Sequence, residues 1–367
     1  MPEIYKVAVI GSTGRGNYGH GLDTAWAAIE KTKVVAVADD NADGLASAQK
    51  RLKVDRGFAD YRQMIEQAKP DIVAIGPRWI DQHRDMVVAA AESGCHVYME
   101  KPFCRDLVEA DQIVAACESN KVKLAMALPT RYSPLIGTIR RLIDSGDLGK
   151  VLEYRGRGKE DRRGGGEDLW VLGTHVMDMI RSIGSHPTWC FAQVAQDGEP
   201  VTKKHVANGA EGIGPLAGNG LTAMYGMPDG STAYFASHKD AGGNPRRYGL
   251  QVFGSKGVLE LIEGTLPEVK FLGDPNWSPG RSRAKWQSVS SAGIGKPEPL
   301  EGAKYRARHT LAIEDLIDAI ENDRPPICNA IEARGATEMI AAVFESHRCG
   351  GPVKMPLENR KNPLTML

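Results

Sequence analysis

The sequence lacks the cysteine and histidine patterns that mark disulfide frameworks and zinc sites. Its six cysteines are scattered over 367 residues, and none belongs to a CxxC pair. In a chain of this length, that spacing favours reduced thiols over a disulfide framework. The nine histidines form no HxH or HxxxH cluster. The sequence therefore predicts no metal site.

Charge of one sign and long hydrophobic runs are also missing. Lys plus Arg and Asp plus Glu both number 46, so the chain has no broad field that would attract nucleic acid or an anionic membrane. No apolar run approaches the roughly 18 residues that a membrane span needs. Residues 1–10 lead into an apolar strand without a signal-peptide pattern. We therefore expect a cytoplasmic protein with no nucleic-acid partner and no membrane partner.

What the chain does contain, over its first 127 residues, is an alternation of short apolar runs and helical patterns. The apolar runs lack polar alternation, which is typical of parallel strands buried on both faces; they are residues 6–10, 34–38, 71–75, 95–99 and 123–127. The helical patterns lie at about 20–30, 41–52, 60–68, 81–93 and 106–119. This alternation predicts an α/β domain with a doubly wound parallel sheet.

The pattern changes after Pro129. A helix is predicted near 134–145, another at about 172–183, and two more at 308–321 and 331–346. Strand-like runs follow one another without regular crossover helices, at 151–157, 190–195, 220–227, 231–238, 248–253, 257–262 and 267–272. They predict an α+β domain with a large, open, mostly antiparallel sheet. Segments 203–220 and 273–302 are predicted as long loops. The predicted domains are 1–128 and 129–367, with the last segment a candidate to pack back on the first domain.

A glycine-rich turn follows the first predicted strand, with the sequence GSTGRGNYG over residues 11–19. Such a turn lets backbone amides approach a pyrophosphate, and a following helix directs its positive end at that charge. The second strand ends in Asp39, which suits an adenosine ribose and favours NAD over NADP. An ordinary turn without a ligand is the alternative. The candidate cofactor-binding residues here are Gly11, Thr13, Gly14, Arg15, Gly16 and Asp39.

Strand four leads into Glu100-Lys101-Pro102. A lysine at the carboxyl end of a parallel strand faces the crevice where open α/β sheets bind ligands. The proline after it is a candidate for an unusual peptide geometry that sets the direction of the lysine. A solvated lysine is the alternative interpretation.

Four segments around these residues carry a resemblance to a known family. They are IGPRWIDQH (75–83), SGCHVYMEKPF (93–103), TRYSPLIGTIRRLIDSGDLGKV (130–151) and RHTLAIEDLIDAIENDRPP (308–326). Together they closely resemble the Gfo/Idh/MocA family of glucose–fructose oxidoreductase and inositol dehydrogenase type. The resemblance extends from Lys6 to about Pro356, and it implies an NAD-binding Rossmann domain followed by a substrate domain.

The resemblance also implies roles for individual residues. Lys101 matches the lysine that touches the nicotinamide ribose and the substrate and takes part in proton transfer, and Glu100 matches its neighbour on the cofactor side. His175, within GTHVMD (173–178), matches the catalytic histidine that acts as general acid or base for the reacting hydroxyl. The loop flanking the nicotinamide is matched by Pro77 and His83, with Trp79 as an added wall. Arg131 and Tyr132 belong to a family motif and are candidate substrate-binding residues.

One position departs from the family pattern. The family often has an aspartate four residues before this histidine, and here that residue is Val171. The nearest acid, Asp168, is a candidate substitute. Arg157, in the basic segment 155–163, is a candidate for binding an anionic sugar group, and Trp170 for stacking on a sugar ring. A solvated loop and core packing are the respective alternatives.

Three functions remain open at this point. The leading one is NAD-dependent hydride transfer at a secondary hydroxyl of a sugar, polyol or glycoside. The second is a redox-neutral enzyme that cleaves a glycoside through transient oxidation of the sugar at C3, and Val171 makes it more attractive. The third is a dinucleotide-binding sensor that regulates transcription. The resemblance also implies a homodimer or homotetramer formed through the second domain's sheet.

Overall fold

The computed structural model describes residues 4–244, 246–264, 267–300 and 303–367, and side chains in the last range from 309 onward. The chain forms two compact units. Unit 1 comprises residues 1–128, 210–214 and 306–334, and unit 2 comprises residues 129–209, 215–305 and 335–367. Unit 1 thus takes in two segments from the later part of the chain.

Unit 1 contains a six-stranded parallel sheet in the order β3-β2-β1-β4-β5-β6. Its strands are β1 Tyr5–Ile10, β2 Thr32–Ala38, β3 Gly57–Phe58, β4 Ile72–Ile75, β5 His96–Met99 and β6 Leu124–Met126. Its first four α-helices are α1 Ala42–Leu52, α2 Tyr61–Ala68, α3 His83–Glu92 and α4 Leu107–Ser119. Residues 7–10 and 72–75 are almost completely buried, as apolar runs without polar alternation predict. The predicted doubly wound parallel sheet is confirmed.

The predicted helix at about 20–30 is wrong. Residues 13–24 form turns, and only Ala25–Ala28 make a short 3-10 helix. Gly14, Gly16, Gly19 and Gly21 all have positive φ, as does Asn17. A right-handed helix cannot pass through such residues. The glycine-rich turn is therefore not followed directly by the α-helix whose dipole the sequence pattern predicted. The amides of Gly11, Thr13 and Gly14 already donate to other groups of the chain.

Unit 2 is built on a large sheet in the order β18-β17-β16-β15-β14-β7-β13-β12-β8-β19, with β9 paired to β8. Its strands, in chain order, are β7 Val151–Arg157, β8 Trp189–Gln196, β9 Glu199–Pro200, β12 Gly220–Gly226, β13 Thr232–His238, β14 Gly249–Gly254, β15 Gly257–Ile262, β16 Glu268–Leu272, β17 Gln287–Ser290, β18 Gly293–Ile294 and β19 Val353–Lys354. Among the described residues, β7 and β13 form its one parallel pair. The prediction of a large, mostly antiparallel sheet is confirmed.

Helices of unit 2 cover one face of this sheet. The remaining α-helices are α5 Pro134–Asp144, α6 Gly166–Val171, α7 Gly173–Ile183, α8 Pro279–Ser282, α9 Ala303–Glu321 and α10 Ala330–Cys349. Of these, α9 from residue 306 onward and the first residues of α10 belong to unit 1. Tyr225 of β12 donates to the carbonyl of Met339 in α10 at 3.0 Å. A Cβ on Gly156 of β7 would lie 2.5 Å from Val176 of α7, so the sheet needs glycine where that helix packs. Phe191 and Tyr234 side chains are exposed, and their strand alternation places them on the opposite face.

The two predicted long loops contain short elements. Segment 203–220 includes a two-stranded hairpin of β10 Ala207–Asn208 and β11 Pro215–Leu216. Segment 273–302 includes α8, β17 and β18, and its residues 301–302 lie outside the described part of the chain. The sequence QSVS of β17 is too short and polar to stand out as a strand. The prediction of continuous loops is wrong there because backbone pairing with β16, and not side-chain pattern, adds this strand to the sheet.

Candidate active site

The glycine-rich turn of unit 1 closes on itself and packs against the loop after β4. The amide N of Asn17 donates to the carbonyl of Ser12 at 3.0 Å, and the amide N of Ser12 donates back at 3.1 Å. Gly16, at φ 90°, has no room for a side chain, because a Cβ would lie 2.4 Å from the backbone N of Arg78. The turn therefore needs glycine both for its conformation and for this close approach.

Asp39 holds this turn in place. Its carboxylate accepts hydrogen bonds from the Thr13 amide at 3.1 Å, the Thr13 hydroxyl at 2.7 Å, the Tyr18 hydroxyl at 2.8 Å and the Asn41 amide at 3.0 Å. Burial alone would raise the pKa of Asp39, but these donors outweigh it and lower the pKa. The acid at the end of β2 is thus an internal anchor as well as the predicted cofactor residue.

A cavity of about 160 Å³ lies at the carboxyl ends of β1 and β2. Its walls include Gly11, Ser12, Asp39, Asp40, Tyr61 and Met86. Acidic groups beside apolar side chains suit a ribose with its base, so these residues fit the adenosine end of a dinucleotide. Asp40 was missed by sequence reasoning, although it directly follows Asp39. Its side chain is exposed, which leaves its carboxylate accessible at the cavity.

Arg15 and Trp79, two predicted cofactor-binding residues, contact each other near the turn. The Arg15 guanidinium forms an ion pair with Asp81 and stacks over the Trp79 ring, 4.8 Å from its centroid. Gly14 directly precedes Arg15, and its amide donates to the Asn17 side chain at 3.0 Å. The structure thus brings together the glycine-rich turn and the loop after β4, as a nicotinamide-nucleotide site requires.

His83 lies behind this loop and not on its surface. The side chain is fully buried. Its Nε2 lies 2.8 Å from the carbonyl oxygen of Pro77, and its Nδ1 lies 2.9 Å from that of Pro102. The imidazole therefore joins the loop after β4 to the loop after β5. This placement supports a positioning role for His83 and Pro77 at the predicted cofactor loop.

Glu100 anchors the lysine that follows it. The buried carboxylate accepts from the Lys101 amide at 3.0 Å, from the His20 amide at 2.9 Å, and pairs with Nδ1 of His20 at 2.7 Å. Burial alone would raise the pKa of Glu100, but the hydrogen bond and charge of His20 and the charge of Lys101 lower it to about 2. The Lys101–Pro102 peptide bond is cis, in line with the expectation of an unusual geometry. Lys101 is 5% exposed.

His20 was not identified from the sequence, since nothing in the glycine-rich turn marks it as a partner of Glu100. Its carbonyl oxygen lies 3.2 Å from Nε2 of His309, and Nδ1 of His309 lies 2.8 Å from the Tyr98 hydroxyl. Tyr98 lies on β5, two residues before Glu100 in the chain. The glycine-rich turn, β5 and α9 are thus joined by one hydrogen-bonded network around Glu100.

In unit 2, the predicted catalytic histidine lies beside an unpredicted carboxylate. His175 is in the first turn of α7, and its Nδ1 lies 3.2 Å from Oε1 of Glu263. The Thr130 hydroxyl lies 3.1 Å from the same oxygen and 2.8 Å from the carbonyl of Gly264. Glu263 follows β15 in the chain, so no local sequence pattern connects it with His175.

The arginine–aromatic motif, Arg131 and Tyr132, is joined to α7 by an ion pair between Arg131 and Asp178. Arg131 lies in a 3-10 helix, Pro129–Tyr132, and its Nη1 is 3.1 Å from Oδ1 of Asp178 in α7. Both side chains are almost completely buried, and so is Tyr132. The motif thus positions the helix that carries His175, and this packing role accompanies the predicted contact with substrate.

Three further predicted residues have contacts or burial of their own. Asp168 is fully buried; its carboxylate accepts from the Ser237 hydroxyl at 2.5 Å and from the Glu160 amide at 3.0 Å. Arg157 places its Nε 3.2 Å from the Glu160 carboxylate. The Trp170 ring is buried, which favours the core-packing alternative. The carboxylate next to His175 comes from Glu263, and not from Asp168 as the nearest acid in sequence.

Neither a metal-ligand cluster nor a membrane-spanning helix is present among the described residues. No group of three or more His, Cys, Asp or Glu side chains there is arranged to hold a metal ion. No helix in the same part of the chain is both long and apolar enough to span a bilayer. All six cysteines have free thiols, and only Cys349 is exposed.

Comparison with known families gives two consecutive matches. Residues 5–128 match the oxidoreductase family GFO_IDH_MocA, NAD-binding Rossmann fold. Residues 140–355 match the C-terminal alpha/beta domain of the same oxidoreductase family. The second match alone covers more than half of the chain. The first match contains the strands of the parallel sheet, and the second contains those of the mostly antiparallel sheet.

Individual proteins resemble the chain over most of its length. The scyllo-inositol 2-dehydrogenase (NAD(+)) of Bacillus subtilis is 22% identical over 98% of this chain and 98% of its own. The levoglucosan dehydrogenase of Pseudarthrobacter phenanthrenivorans is 23% identical over 68% of this chain and 72% of its own. A solved levoglucosan dehydrogenase in complex with NADH and L-sorbose superposes with a TM-score of 0.78 at 19% identity, covering 97% of this chain and 100% of that structure.

Proposed function

Because the chain belongs to the Gfo/Idh/MocA family of NAD-binding oxidoreductases, we propose that it is a dehydrogenase acting on a sugar, polyol or glycoside. The reaction is oxidation of a secondary hydroxyl to a ketone, or its reverse. The relatives named as inositol and levoglucosan dehydrogenases support this substrate class.

The observation that carries the proposal is the anchoring of Lys101. Its amide is tied to Glu100, which also accepts from the amide of His20 in the glycine-rich turn. Within unit 1, one buried carboxylate therefore fixes both the backbone of the lysine and the turn that suits a dinucleotide. A solvated surface lysine would have no such support, and it would not be 5% exposed.

Each catalytic side chain has a distinct role in the proposal. NAD⁺, when bound, supplies the hydride acceptor. His175 takes the proton of the reacting hydroxyl, a role that suits imidazole near neutral pH. Lys101 donates hydrogen bonds to the substrate oxygen and takes part in the same proton transfer. Gly11, Thr13, Gly14 and Gly16 are proposed to hold the pyrophosphate through the turn, and Asp39 with Asp40 the adenosine ribose.

The redox-neutral alternative remains the second candidate. Its sequence argument was Val171, which replaces the family's usual carboxylate before the histidine, and Glu263 places another carboxylate 3.2 Å from Nδ1 of His175. Because the alternative also begins with oxidation of a hydroxyl, this pair fits both reactions. Glycoside cleavage without net NADH would still identify the alternative in the same assay.

Absorbance at 340 nm during turnover tests the proposal. We expect NADH to accumulate with NAD⁺ and at least one member of a panel of inositols, aldoses and anhydrosugars. Lys101→Met should lower kcat by about 10³-fold with NAD⁺ binding retained in calorimetry, and Lys150→Met, at an exposed lysine of unit 2, should not. NAD⁺ binding without turnover of any panel member would point to the sensor. Full turnover by Lys101→Met would overturn the proposal.

Self-association through the open face of the unit 2 sheet is the second part of the proposal. Phe191 and Tyr234 expose 38% of their surfaces there, and Met224 lies between them in register. An apolar row of this kind favours an isologous contact with a second copy. Light scattering at micromolar concentration should give a dimer or tetramer. A monomer would contradict this part of the proposal.

A further inference from the structure

We infer that Glu263 is the carboxylate that positions His175. It follows a strand of the sheet, and it takes the place of the aspartate that the family often has at the position of Val171. The inference rests on the proposed role of His175 in proton transfer. It concerns a residue to which neither the family motif nor the sequence pattern around the histidine points.

The first step is the position of Val171. It ends α6, and its side chain is buried. The neighbouring acid Asp168 directs its Oδ2 atom to the Ser237 hydroxyl and to the Glu160 amide. These two contacts are with groups other than His175.

The second step is the backbone of Glu263. Its amide donates to the carbonyl of Tyr248 at 2.9 Å, which extends the antiparallel pairing of β14 with β15 by one residue beyond Gly249 and Ile262. A residue held by a strand pair has a defined Cα position, and the geometry of its side chain is therefore reproducible. Tyr248 in turn donates its hydroxyl to the carbonyl of Leu172, three residues before His175, at 2.8 Å.

The third step is the carboxylate itself. Its Oε1 lies 3.2 Å from Nδ1 of His175, within ion-pair distance, and 3.1 Å from the Thr130 hydroxyl. The Glu263 and His175 side chains are 14% and 8% exposed. The pair is thus shielded from bulk solvent, where an ionic contact would be weak, and still open enough for a substrate to reach the imidazole.

The other ionisable groups on the elements packed against α7 have their own environments. Arg131 pairs with Asp178, Arg140 donates to the carbonyl of Ser182, and burial raises the pKa of Tyr154 to about 12 and that of Tyr248 well above its ordinary value. Glu167 and Asp168 lie on α6. The Glu263 carboxylate, in contrast, lies within ion-pair distance of the His175 ring.

A carboxylate at Nδ1 has two effects on an imidazole. It favours the tautomer with the proton on Nδ1, so that Nε2 accepts the proton of the substrate hydroxyl, and it stabilises the imidazolium that then forms. In the proposed reaction His175 takes the proton of the hydroxyl at Nε2, and NAD⁺, when bound, would supply the acceptor for the hydride of the same carbon. Glu263 acts on the reaction through His175, as a positioning residue.

Glu263→Gln removes the charge and keeps the shape, and Glu358→Gln, at an exposed glutamate after β19, is the matched control. We expect Glu263→Gln to lower kcat by about 10²-fold, with KM for NAD⁺ changed less than about twofold, and to move the acid limb of the kcat/KM profile by about one pH unit downward. Glu358→Gln should change none of these. Glu263→Asp, which keeps the charge, should recover part of kcat and is the second variant if the first does not fold.

Imidazole NMR separates this inference from the proposed function. The His175 signal is assigned with His175→Gln, and its titration is followed in the wild-type chain and in Glu263→Gln. A downward shift of the His175 pKa in Glu263→Gln by about one unit supports the pairing even if no sugar is oxidised, an outcome that would remove only the proposed function. An unchanged titration, or a Glu263→Gln enzyme with wild-type kcat, overturns the inference.

Discussion

Among the carboxylate–histidine pairs of the described residues, Glu100 with His20 and Glu263 with His175 are built in different ways. Glu100 of unit 1 is 1% exposed, and two of its three donors are the backbone amides of His20 and Lys101. Glu263 of unit 2 is 14% exposed, and the contacts of its carboxylate are with the side chains of His175 and Thr130. Backbone donors cannot turn away without moving the chain, whereas side-chain donors can.

This difference separates a structural pair from a reactive one. The Glu100 carboxylate is almost completely buried and bonded to two backbone amides, although the His20 ring is 30% exposed, and the low pKa of Glu100, about 2, reflects these donors. A carboxylate that is bonded only through side chains can adjust to a proton exchange at little cost in structure. The same two residue types thus support a fold in unit 1 and, in our proposal, a proton transfer in unit 2.

Replacing Glu100 and Glu263 by alanine should give the largest difference in the free energy of unfolding. Glu100→Ala leaves the His20 and Lys101 amides without their buried acceptor, so we expect the free energy of unfolding to fall by about 3–5 kcal/mol. Glu263→Ala should cost roughly 1 kcal/mol because water can replace its contacts. Urea unfolding of both variants measures the contrast. Equal losses would show that the two pairs are not different in kind.

Acid should destabilise the chain through Glu100 in particular. Its pKa falls from the ordinary 4.5 to about 2 on folding, so its contribution is present above about pH 4.5 and is lost as the pH falls towards 2. The shift corresponds to roughly 3 kcal/mol. Glu100→Gln should lack this part of the acid sensitivity in urea unfolding between pH 5 and 2.5. If Glu100→Gln lost stability with falling pH as steeply as wild type, the Glu100 carboxylate would not be the source of this acid sensitivity.

Most strands of the two large sheets could be predicted because apolar pattern and burial coincide. Continuous apolar runs predicted five of the six parallel strands of unit 1, all but the two-residue β3, and strand-like runs predicted most strands of unit 2. The helix at 20–30 could not be predicted correctly, since the decisive feature is a succession of positive φ values at glycines and glycine composition alone leaves φ open. Strand β17 was missed because it depends on pairing with β16.

The residues of the candidate site also fall into two groups, those that sequence motifs identify and those that only the structure reveals. Lys101, Glu100 and His175 stand in motifs, so the sequence identifies them, and the structure adds which atoms hold them. His20 and Glu263 could not be identified, because each reaches its partner through tertiary contacts between segments far apart in the chain. Asp168 shows the converse: proximity in sequence suggested a partner for His175, and the fold directs its carboxylate to Ser237.

The smallest predicted effect concerns the hydroxyl that completes the reactive pair. Thr130 shares its one proton between Oε1 of Glu263 at 3.1 Å and the carbonyl of Gly264 at 2.8 Å. Thr130→Val keeps the shape and removes that proton, so we expect a loss of about 1 kcal/mol in unfolding and a decrease in kcat of only a few-fold. Thr130→Ser, which keeps the hydroxyl, is the control for both measurements. A loss as large as that of Glu100→Ala would mean that unit 2 also relies on a rigid hydrogen-bonded anchor, and the distinction between a structural and a reactive pair would then fail.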